Sequence, residues 1–302
     1  MAIDGWAPGE ILSPELHQHR FISMGCPCAV NLYAEHESQA RRGFDLAELE
    51  TRRLDQKYSH YREDSYLARI QRQAQCSGGV NVDRETAALL DYAETQFGIS
   101  DGMFDITTRR LSALWDRIKS IPDQREVSKA LNKTGWEKVR WNGLNLATVP
   151  GMEFDLGGIV KEYAADRVAA LLIKAGFESG YVDLGGDMHF LGPHPNGNPW
   201  RAGIRNPVNR TEPMAIVGLY SGGLASSGDY ERYSEIDGTR YSHIINPRTG
   251  WPVNFGDAGM SSVSVSAPSC LVAGSVTTLS MLLPKSKSVP FLEQSGLNWF
   301  AV

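Results

Sequence analysis

The sequence has few cysteines, no long apolar run and no excess of basic charge, and each absence excludes a class of protein. Its 302 residues include four cysteines, too few for the disulfide framework of a small secreted protein. No apolar run approaches the ~20 residues that span a bilayer. Lys and Arg total 30 against 35 Asp and Glu, a net charge of -5, so we do not expect a nucleic-acid partner.

The N-terminus and the cysteine pattern argue against secretion and against a zinc site. The first ten residues lack a basic segment followed by an apolar one, which a signal peptide requires. We therefore expect a cytoplasmic protein. Cys26 and Cys28 form a Cys-Pro-Cys segment, but no second Cys/His pair follows at zinc spacing, so we expect reduced thiols. With 42% hydrophobic residues, the chain can build a large core.

Helical and strand-like patterns are interleaved without a regular βαβ rhythm. We expect an irregular arm over residues 1–20 and a single domain over residues 21–302. Alternation and Asn142-Gly143 predict a hairpin over residues 136–149 with a type I′ turn. Apolar periodicity and glycine stops predict helices and short strands. The helices are expected over residues 38–55, 86–98 (ending at Gly98), 122–131, 159–175 (stopped by Gly176) and 273–283, and the strands over residues 30–34 and 181–184. This pattern favours a mixed α+β fold.

The first of four candidate clusters is a glycine pair at a helix start. Gly157 and Gly158 lead into a helix whose first turn holds Lys161. Free backbone N–H groups at such a start favour an anion. A lysine there opposes the helix dipole, a cost that is offset if it faces a phosphate or a carboxylate. A plain strand-to-helix turn with a surface lysine explains the same residues.

Two further clusters combine acids, hydroxyls and turns. Asp183 and Asp187 flank a glycine pair after a strand, an arrangement typical of metal ligands, of a ribose contact or simply of a capped turn. Residues 226–233 and 241–250 bring hydroxyls, acids, an arginine and aromatics together with His243. Functional side chains beside tight turns favour a site, but they do not identify its ligand.

The fourth cluster, over residues 102–107, is a turn that Asp105 is expected to cap. The helix that follows is expected to bury Leu111, Leu114 and Trp115. By itself this segment predicts local structure rather than chemistry.

Taken in chain order, these clusters resemble the ApbE family of FAD:protein FMN transferases. Residues 102–107 are similar to the family's Gly-x-Phe-Asp-x-Thr, and residues 155–166 to its Asp-Leu-Gly-Gly-Ile-x-Lys-Gly-Tyr-Ala-x-Asp. Further matching segments lie at residues 23–25, 59–65, 185–187, 227–232 and 243–250. The resemblance extends over residues 21–283, which is most of the chain.

The resemblance implies an ApbE-type flavin transferase fold. This is an α+β fold related to tunnelling folds, with mixed and antiparallel sheets, packed helices and two lobes around an FAD cleft. It implies Mg²⁺-dependent cleavage of the FAD pyrophosphate, transfer of FMN to a Thr or Ser of an acceptor flavoprotein, and release of AMP. The acceptor itself is not identified.

Site residues follow from the matching motifs. The resemblance implies catalytic roles for Asp155, Lys161 and His243, with the strand over residues 243–245 close to the isoalloxazine. It also implies a set of FAD-binding residues, namely Met24, Tyr61, Met103, Phe104, Asp105, Asp155, Lys161, His243, Ile244 and Ile245.

The expected metal site departs from the family pattern. The resemblance implies Mg²⁺ on a carbonyl near Gly158 and on Thr278, but Gly274 stands where the family has its aspartate ligand. Glu162 stands where the family has glycine, and Asp187 or Asp229 is a candidate for the missing carboxylate.

Two alternatives to transfer remain open at this point. One is an FAD-binding relative whose transferase activity is impaired or lost, because Gly274 provides no carboxylate for the metal. The other is an FAD pyrophosphatase that uses water as the acceptor and releases free FMN and AMP.

Overall fold

A computed structural model of the chain describes residues 14–116, 118, 120–206, 212–229, 233–253 and 260–302. The strands are β1 (Glu15–Ser23), β2 (Cys26–Ala34), β3 (Val80–Asn81), β4 (Arg140–Trp141), β5 (Asn145–Ala147), β6 (Gly180–Leu184), β7 (Asp187–Gly192), β8 (Trp200–Ile204), β9 (Ala215–Leu219), β10 (Gly222–Gly228), β11 (Tyr233–Ile236), β12 (Thr239–Ser242), β13 (Ser262–Ala267) and β14 (Asn298–Ala301). The helices are α1 (Glu37–Tyr58), α2 (Tyr66–Ala74), α3 (Arg84–Ile99), α4 (Arg109–Trp115), α5 (Gln124–Leu131), α6 (Val160–Lys174), α7 (Cys270–Leu282) and α8 (Lys285–Gln294), with a 3₁₀ turn at Trp136–Lys138.

A seven-stranded sheet organises the molecule in the order β1-β2-β6-β7-β10-β13-β14. Each neighbouring pair is antiparallel. Three small pairings stand apart from it, β3-β5-β4, β8-β9 and β11-β12. Among the described residues, helices and antiparallel strands are combined without βαβ units, which confirms the α+β fold class.

The main core lies between the sheet and helices α1, α6 and α7. Val30, Val182 and Val263 on the strands and Val168 and Leu172 on α6 are fully buried. Other apolar side chains, among them Phe190, Trp200 and Leu224, form a second buried cluster under the β8-β9 hairpin. The sheet therefore buries apolar side chains on both of its faces, since successive residues of a strand point to opposite sides.

Close packing of α1 on β2 depends on a glycine. A Cβ added at Gly43 would lie 2.5 Å from Cδ1 of Leu32 and 2.7 Å from the Phe177 ring. A larger side chain would push α1 away from the sheet, so the position requires glycine.

The five predicted helices and the strands predicted over residues 30–34 and 181–184 are present, with bounds shifted by a few residues, and the stop at Gly176 is confirmed by its φ of +93°. Gly98 does not end its helix, because α3 continues to Ile99. The irregular arm is wrong for its last residues, since β1 begins at Glu15. Residues 1–13 lie outside the described part of the chain.

The predicted hairpin forms as β4 and β5, but its turn is not type I′. That turn needs a positive φ at both central residues; Gly143 has a φ of +84° whereas Asn142 has no positive φ. The Asn142 side chain instead accepts hydrogen bonds from the backbone N–H groups of Leu144 at 3.1 Å and Asn145 at 2.7 Å. This Asx arrangement closes a longer loop.

No helix among the described residues combines the length and the hydropathy that crossing a membrane requires.

An ion-pair cluster joins α1 to the first turn of α3. Nη2 of Arg53 lies 2.6 Å from Oε1 of Glu85, and Nζ of Lys57 lies 2.8 Å from Oε2 of the same carboxylate. The hydrogen bond from Arg53, opposed by burial and supported by Lys57, lowers the pKa of Glu85 to about 2. The carboxylate thus stays ionised well below its ordinary range of about 4.3.

We expect Glu85→Gln to lower the free energy of unfolding at pH 7. Because the folded-state pKa lies below the unfolded one, the contribution is present above about pH 4.3 and is lost as the pH falls toward 2. Urea denaturation at pH 7, 4 and 3 should therefore show the two proteins converging at low pH. Glu37→Gln is the control, since its pair with Arg41 at 3.5 Å is exposed and contributes little. A difference that stayed constant with pH would contradict the assignment.

Candidate functional site

Asp166 ties the start of α7 to α6. Its Oδ1 accepts from the backbone N–H of Cys270 at 2.6 Å, and its Oδ2 accepts from that of Leu271 at 2.9 Å. Nδ1 of His189 on β7 lies 2.6 Å from Oδ1. The first N–H groups of a helix have no intrahelical partner and favour negative charge. One carboxylate therefore fixes the position of α7 relative to α6 and the sheet.

Lys161 lies in the first turn of α6, as predicted, and its ammonium group forms an ion pair with the carboxylate of Asp187. Asp187 is 2% exposed. Burial opposes the charged form, but the charge of Asp187 outweighs it and raises the pKa of Lys161 above its usual value. The lysine therefore faces a carboxylate of the β6–β7 turn, which offsets the cost of placing it at a helix start.

Glycine is required at position 185 of that turn. Gly185 has a φ of +71°, and a Cβ there would lie 2.9 Å from Sγ of Cys26. The turn thus passes close to the start of β2 only because no side chain intervenes.

Glu162 lies beside Lys161 but points to a different neighbour. A Cβ added at Gly274 of α7 would lie 2.5 Å from its Cγ and 3.0 Å from its Oε1. Its Oε2 is buried and has no hydrogen-bond partner among the described residues. Burial, reinforced by the charge of Asp187, raises the pKa of Glu162 to about 7. Glu162 was predicted only to stand near the phosphate turn, and its contact with α7 was not foreseen.

Asp155 closes the turn that precedes α6. Its Oδ1 accepts from the backbone N–H of Gly157 at 2.9 Å and lies 3.3 Å from Nδ1 of His60, and its Oδ2 accepts from Oγ of Ser112 at 3.2 Å. Burial alone would raise the pKa of Asp155, but the hydrogen bond from His60 outweighs it, and the pKa falls to about 2. The carboxylate is ionised and engaged by three groups of the chain.

The segment over residues 102–107 forms the predicted turn, and its side chains face inward. Asp105 accepts from the N–H of Thr107 at 2.8 Å through Oδ1 and from the N–H of Trp136 at 3.2 Å through Oδ2. Burial raises the pKa of Asp105. Met103 and Phe104 are buried. Asp105 therefore stabilises the turn within the core.

Met24 and Tyr61 are placed differently. Met24 has a φ of +52°, and its N–H donates to Oδ2 of Asp55 at 2.9 Å. The Tyr61 side chain is exposed, with the Arg109 guanidinium 5.3 Å from its ring centroid. An exposed ring beside a cation offers a stacking face.

The strand predicted over residues 243–245 is wrong. β12 ends at Ser242, whose Oγ accepts from the N–H of Ile244 at 3.1 Å, and His243 lies in an exposed bend. Ile245 is buried and forms a single bridge with Pro252. The side-chain hydrogen bond competes with the strand ladder.

The tight turn predicted after this segment is confirmed. The N–H of Gly250 donates to the carbonyl of Asn246 at 2.8 Å, and the Trp115 indole donates to the carbonyl of Gly250 at 2.8 Å. Asn246 and Met103 line a cavity of about 430 Å³ that also borders α7 at Leu279. Its lining does not include Asp155 or Lys161.

Comparison with known proteins assigns the family. The family model described as ApbE family matches residues 24–300. The chain belongs to the ApbE family. A protein of Vibrio cholerae named FAD:protein FMN transferase is 32% identical over 251 residues, covering 81% of this chain and 74% of that protein. One of the same name from Escherichia coli K12 is 30% identical, covering 87% of this chain and 78% of that protein.

A solved structure agrees with this assignment. The ApbE protein of Thermotoga maritima superposes with a TM-score of 0.85 at 28% identity, covering 95% of this chain and 94% of that one. The ApbE-type fold predicted from the motifs is thus confirmed.

Compared with the ApbE pattern, the residues proposed for a metal are spread over several elements. No three His, Cys, Asp or Glu residues within the described ranges converge as a metal site. Asp187 is paired with Lys161, and Asp229 follows β10, where burial raises its pKa to about 6. Thr278 lies on α7 one turn after Gly274, and therefore on the same face of that helix.

Three partners were missed by the sequence reasoning for this ApbE chain. His60 and Ser112 hold Asp155, and Asp166 holds α7. His60 stands beside Tyr61 in a matching segment, which is a weak signal. Nothing local in the sequence marks Ser112, because its contact with Asp155 forms only in the folded chain.

We expect Asp166→Asn to destabilise the fold by about 1–3 kcal/mol. An amide offers a single acceptor oxygen to the two N–H groups of α7, and it removes the charge opposite His189. Chemical denaturation measures the loss. Ser269→Ala is the control, because this local cap accepts one N–H, that of Val272 at 3.3 Å, and costs about 0.5–2 kcal/mol. A free energy of unfolding equal to that of the wild type in Asp166→Asn would contradict the role of Asp166 in holding α7 to α6.

Proposed function

We propose that this enzyme is an FAD:protein FMN transferase, which moves FMN from FAD to a Thr or Ser of an acceptor flavoprotein and releases AMP. The observation that carries the proposal is the start of α6, where Gly157, Gly158 and the half-buried Lys161 combine a helix N-terminus with a fixed cation. Such an arrangement suits a pyrophosphate. Membership of a family whose relatives bear this name supports the same reaction.

The proposed reaction exchanges one phosphorus–oxygen bond for another. The acceptor hydroxyl oxygen bonds to the flavin-side phosphorus, the bond from that phosphorus to the bridging oxygen breaks, and AMP leaves with the bridging oxygen. The hydroxyl proton must be removed. We assign this step to His243, since imidazole accepts protons near neutral pH, and its exposed bend is open to an acceptor protein.

Lys161 and Asp155 act at the phosphate end in this proposal. Lys161 neutralises charge that builds on the pyrophosphate oxygens, and Asp187 holds its ammonium group in place. Asp155 was expected to be catalytic and to contact FAD. Because its oxygens are engaged by His60, Ser112 and Gly157, we propose that it positions the turn.

The remaining FAD-binding residues keep their expected roles as proposals. The exposed ring of Tyr61 suits stacking on an aromatic part of FAD. Met24, Met103, Phe104 and Asp105 stay proposed FAD-binding residues, although Met103 and Phe104 are buried, and His243, Ile244 and Ile245 are proposed to border the isoalloxazine. The proposal for Met103 is also supported by its place in the lining of the cavity beside Asn246.

We also propose Mg²⁺ dependence, with the Gly158 carbonyl and the Thr278 hydroxyl among the ligands. Bound Mg²⁺ supplies positive charge to the phosphate oxygens. The buried, unpartnered oxygen of Glu162 beside α7 fits a cation, because a lone buried carboxylate oxygen is otherwise costly. The cytoplasmic location and the acceptor flavoprotein stay predictions.

The deciding experiment incubates the enzyme with FAD and an acceptor domain bearing a flavinylation site, with and without Mg²⁺. AMP and FMN are quantified by chromatography and protein-bound flavin by in-gel fluorescence. We expect Mg²⁺-dependent AMP release matched by protein-bound flavin. Free FMN would favour a pyrophosphatase, and FAD binding without turnover would favour a relative that has lost transfer.

We expect Lys161→Met to reduce transfer by about 10²–10³-fold, as loss of a charge-stabilising donor does. Lys174→Met is the control, because this lysine is exposed at the far end of α6. Lys161→Met/Asp187→Asn removes both charges of the ion pair and leaves no unpaired buried carboxylate, so it keeps the fold while losing activity. Full transfer by that double variant would contradict the role of Lys161.

A further inference from the structure

Glu162 and Gly274 are complementary in shape. A Cβ at position 274 would lie 2.5 Å from Cγ, 3.0 Å from Cδ and 3.0 Å from Oε1 of Glu162. These distances are shorter than van der Waals contact, so the glutamate occupies the space into which a side chain at position 274 would extend. The two positions cannot both carry a long side chain in this packing.

The Glu162 carboxylate forms no ion pair within the described part of the chain. The residue is 6% exposed, and Oε2 is buried without a hydrogen-bond partner among the described residues. The neighbouring ammonium group, that of Lys161, is paired with Asp187. A buried carboxylate is costly unless it is paired, takes up a proton or coordinates a metal, so this one is available to a ligand that brings positive charge.

Other polar groups near Gly274 are already engaged. Both oxygens of Asp166 accept N–H groups of α7. The Ser275 hydroxyl accepts from Tyr92 at 2.8 Å, and the Thr277 hydroxyl donates to the carbonyl of Gly274 at 2.9 Å. Glu162 is therefore the carboxylate that contacts position 274 and keeps an oxygen without a hydrogen-bond partner among the described residues.

The register of α6 against α7 relates the contact of Glu162 to that of Asp166 and to the position of Thr278. Asp166 on α6 contacts Cys270 on α7. Glu162, one turn before Asp166, contacts Gly274, one turn after Cys270. Because four residues make about one helical turn, moving one turn toward the N-terminus of α6 corresponds to moving one turn toward the C-terminus of α7. Thr278 follows one further turn along α7, whereas Gly158 precedes Val160, the first residue of α6.

We infer that Glu162 supplies the carboxylate ligand of the divalent cation, reaching from α6 into the place of a side chain at position 274. This inference rests on the proposed function, and it identifies the carboxylate that replaces the aspartate which the family has at position 274. Mg²⁺ commonly uses one or two carboxylates together with substrate phosphates. One glutamate, one threonine hydroxyl, one carbonyl and the FAD phosphates thus suffice without a cluster of three acidic residues.

The test measures Mn²⁺ binding by electron paramagnetic resonance, using the full chain with FAD present and no acceptor. Glu162→Gln keeps the shape and removes the charge, so we expect Mn²⁺ affinity to fall at least about tenfold, no less than for lost supporting contacts around a metal. Glu153→Gln is the matched control, since that carboxylate is partly exposed and paired with Arg110; its affinity should not change.

A second comparison exchanges the two side chains. Gly274→Asp alone should lower the melting temperature, because its Cβ collides with Glu162. Glu162→Gly alone should lose Mn²⁺ binding. Glu162→Gly/Gly274→Asp should regain both stability and Mn²⁺ binding, since the carboxylate then comes from α7.

Wild-type Mn²⁺ affinity in Glu162→Gln overturns the inference, and so does an absence of Mn²⁺ binding in the wild type with FAD. If the double variant does not fold, Glu162→Gln still decides. If FMN is transferred but Mn²⁺ binding does not depend on Glu162, the inference fails and the proposed function stands. If Mn²⁺ binding depends on Glu162 but no FMN is transferred, the inference stands and the proposed function fails.

Discussion

The carboxylate of Asp166 is the constraint on which the site depends. It satisfies the first N–H groups of α7 from a position on α6 and also contacts His189 of the sheet. Because both helices carry residues of the candidate site, an error in their relative position would misplace every group between them. The contact of Glu162 with Gly274 lies one turn away and shares this register. Packing and electrostatics are therefore determined together at this helix pair.

Much of the secondary structure could be predicted from sequence because its periodicity is strong. α6 has a continuous apolar face, and Gly176 ends it. Failures occurred where a side chain competes with the backbone pattern. The Asn142 side chain accepts a nearby N–H, and a longer loop forms there instead of the predicted two-residue turn. The Ser242 side chain accepts the N–H of Ile244, and the predicted strand does not form. β1 was missed because its first residues are mostly polar and half-exposed.

The candidate site was located by its motifs, but the partners of its residues were not. A helix start with a lysine is visible in sequence, whereas the identity of the opposing carboxylate, Asp187, is not. The same holds for His60 beside Asp155. Such pairs join elements that are distant in the chain, and sequence spacing carries no information about them. At position 274 the sequence shows only a glycine in place of the family's aspartate, whereas its contact with Glu162 forms only in the folded chain.

The contact between Glu162 and Gly274 also restricts how such a sequence can arise. A change to a large side chain at either position is disfavoured while the other position is occupied, and a change to glycine at both removes the carboxylate. The two positions therefore form an epistatic pair. One arrangement has glutamate at position 162 and glycine at position 274, and the other has glycine at 162 and aspartate at 274. A single substitution from either one gives a protein that is overpacked or that lacks the carboxylate. Descendants of each arrangement should therefore retain both residues together.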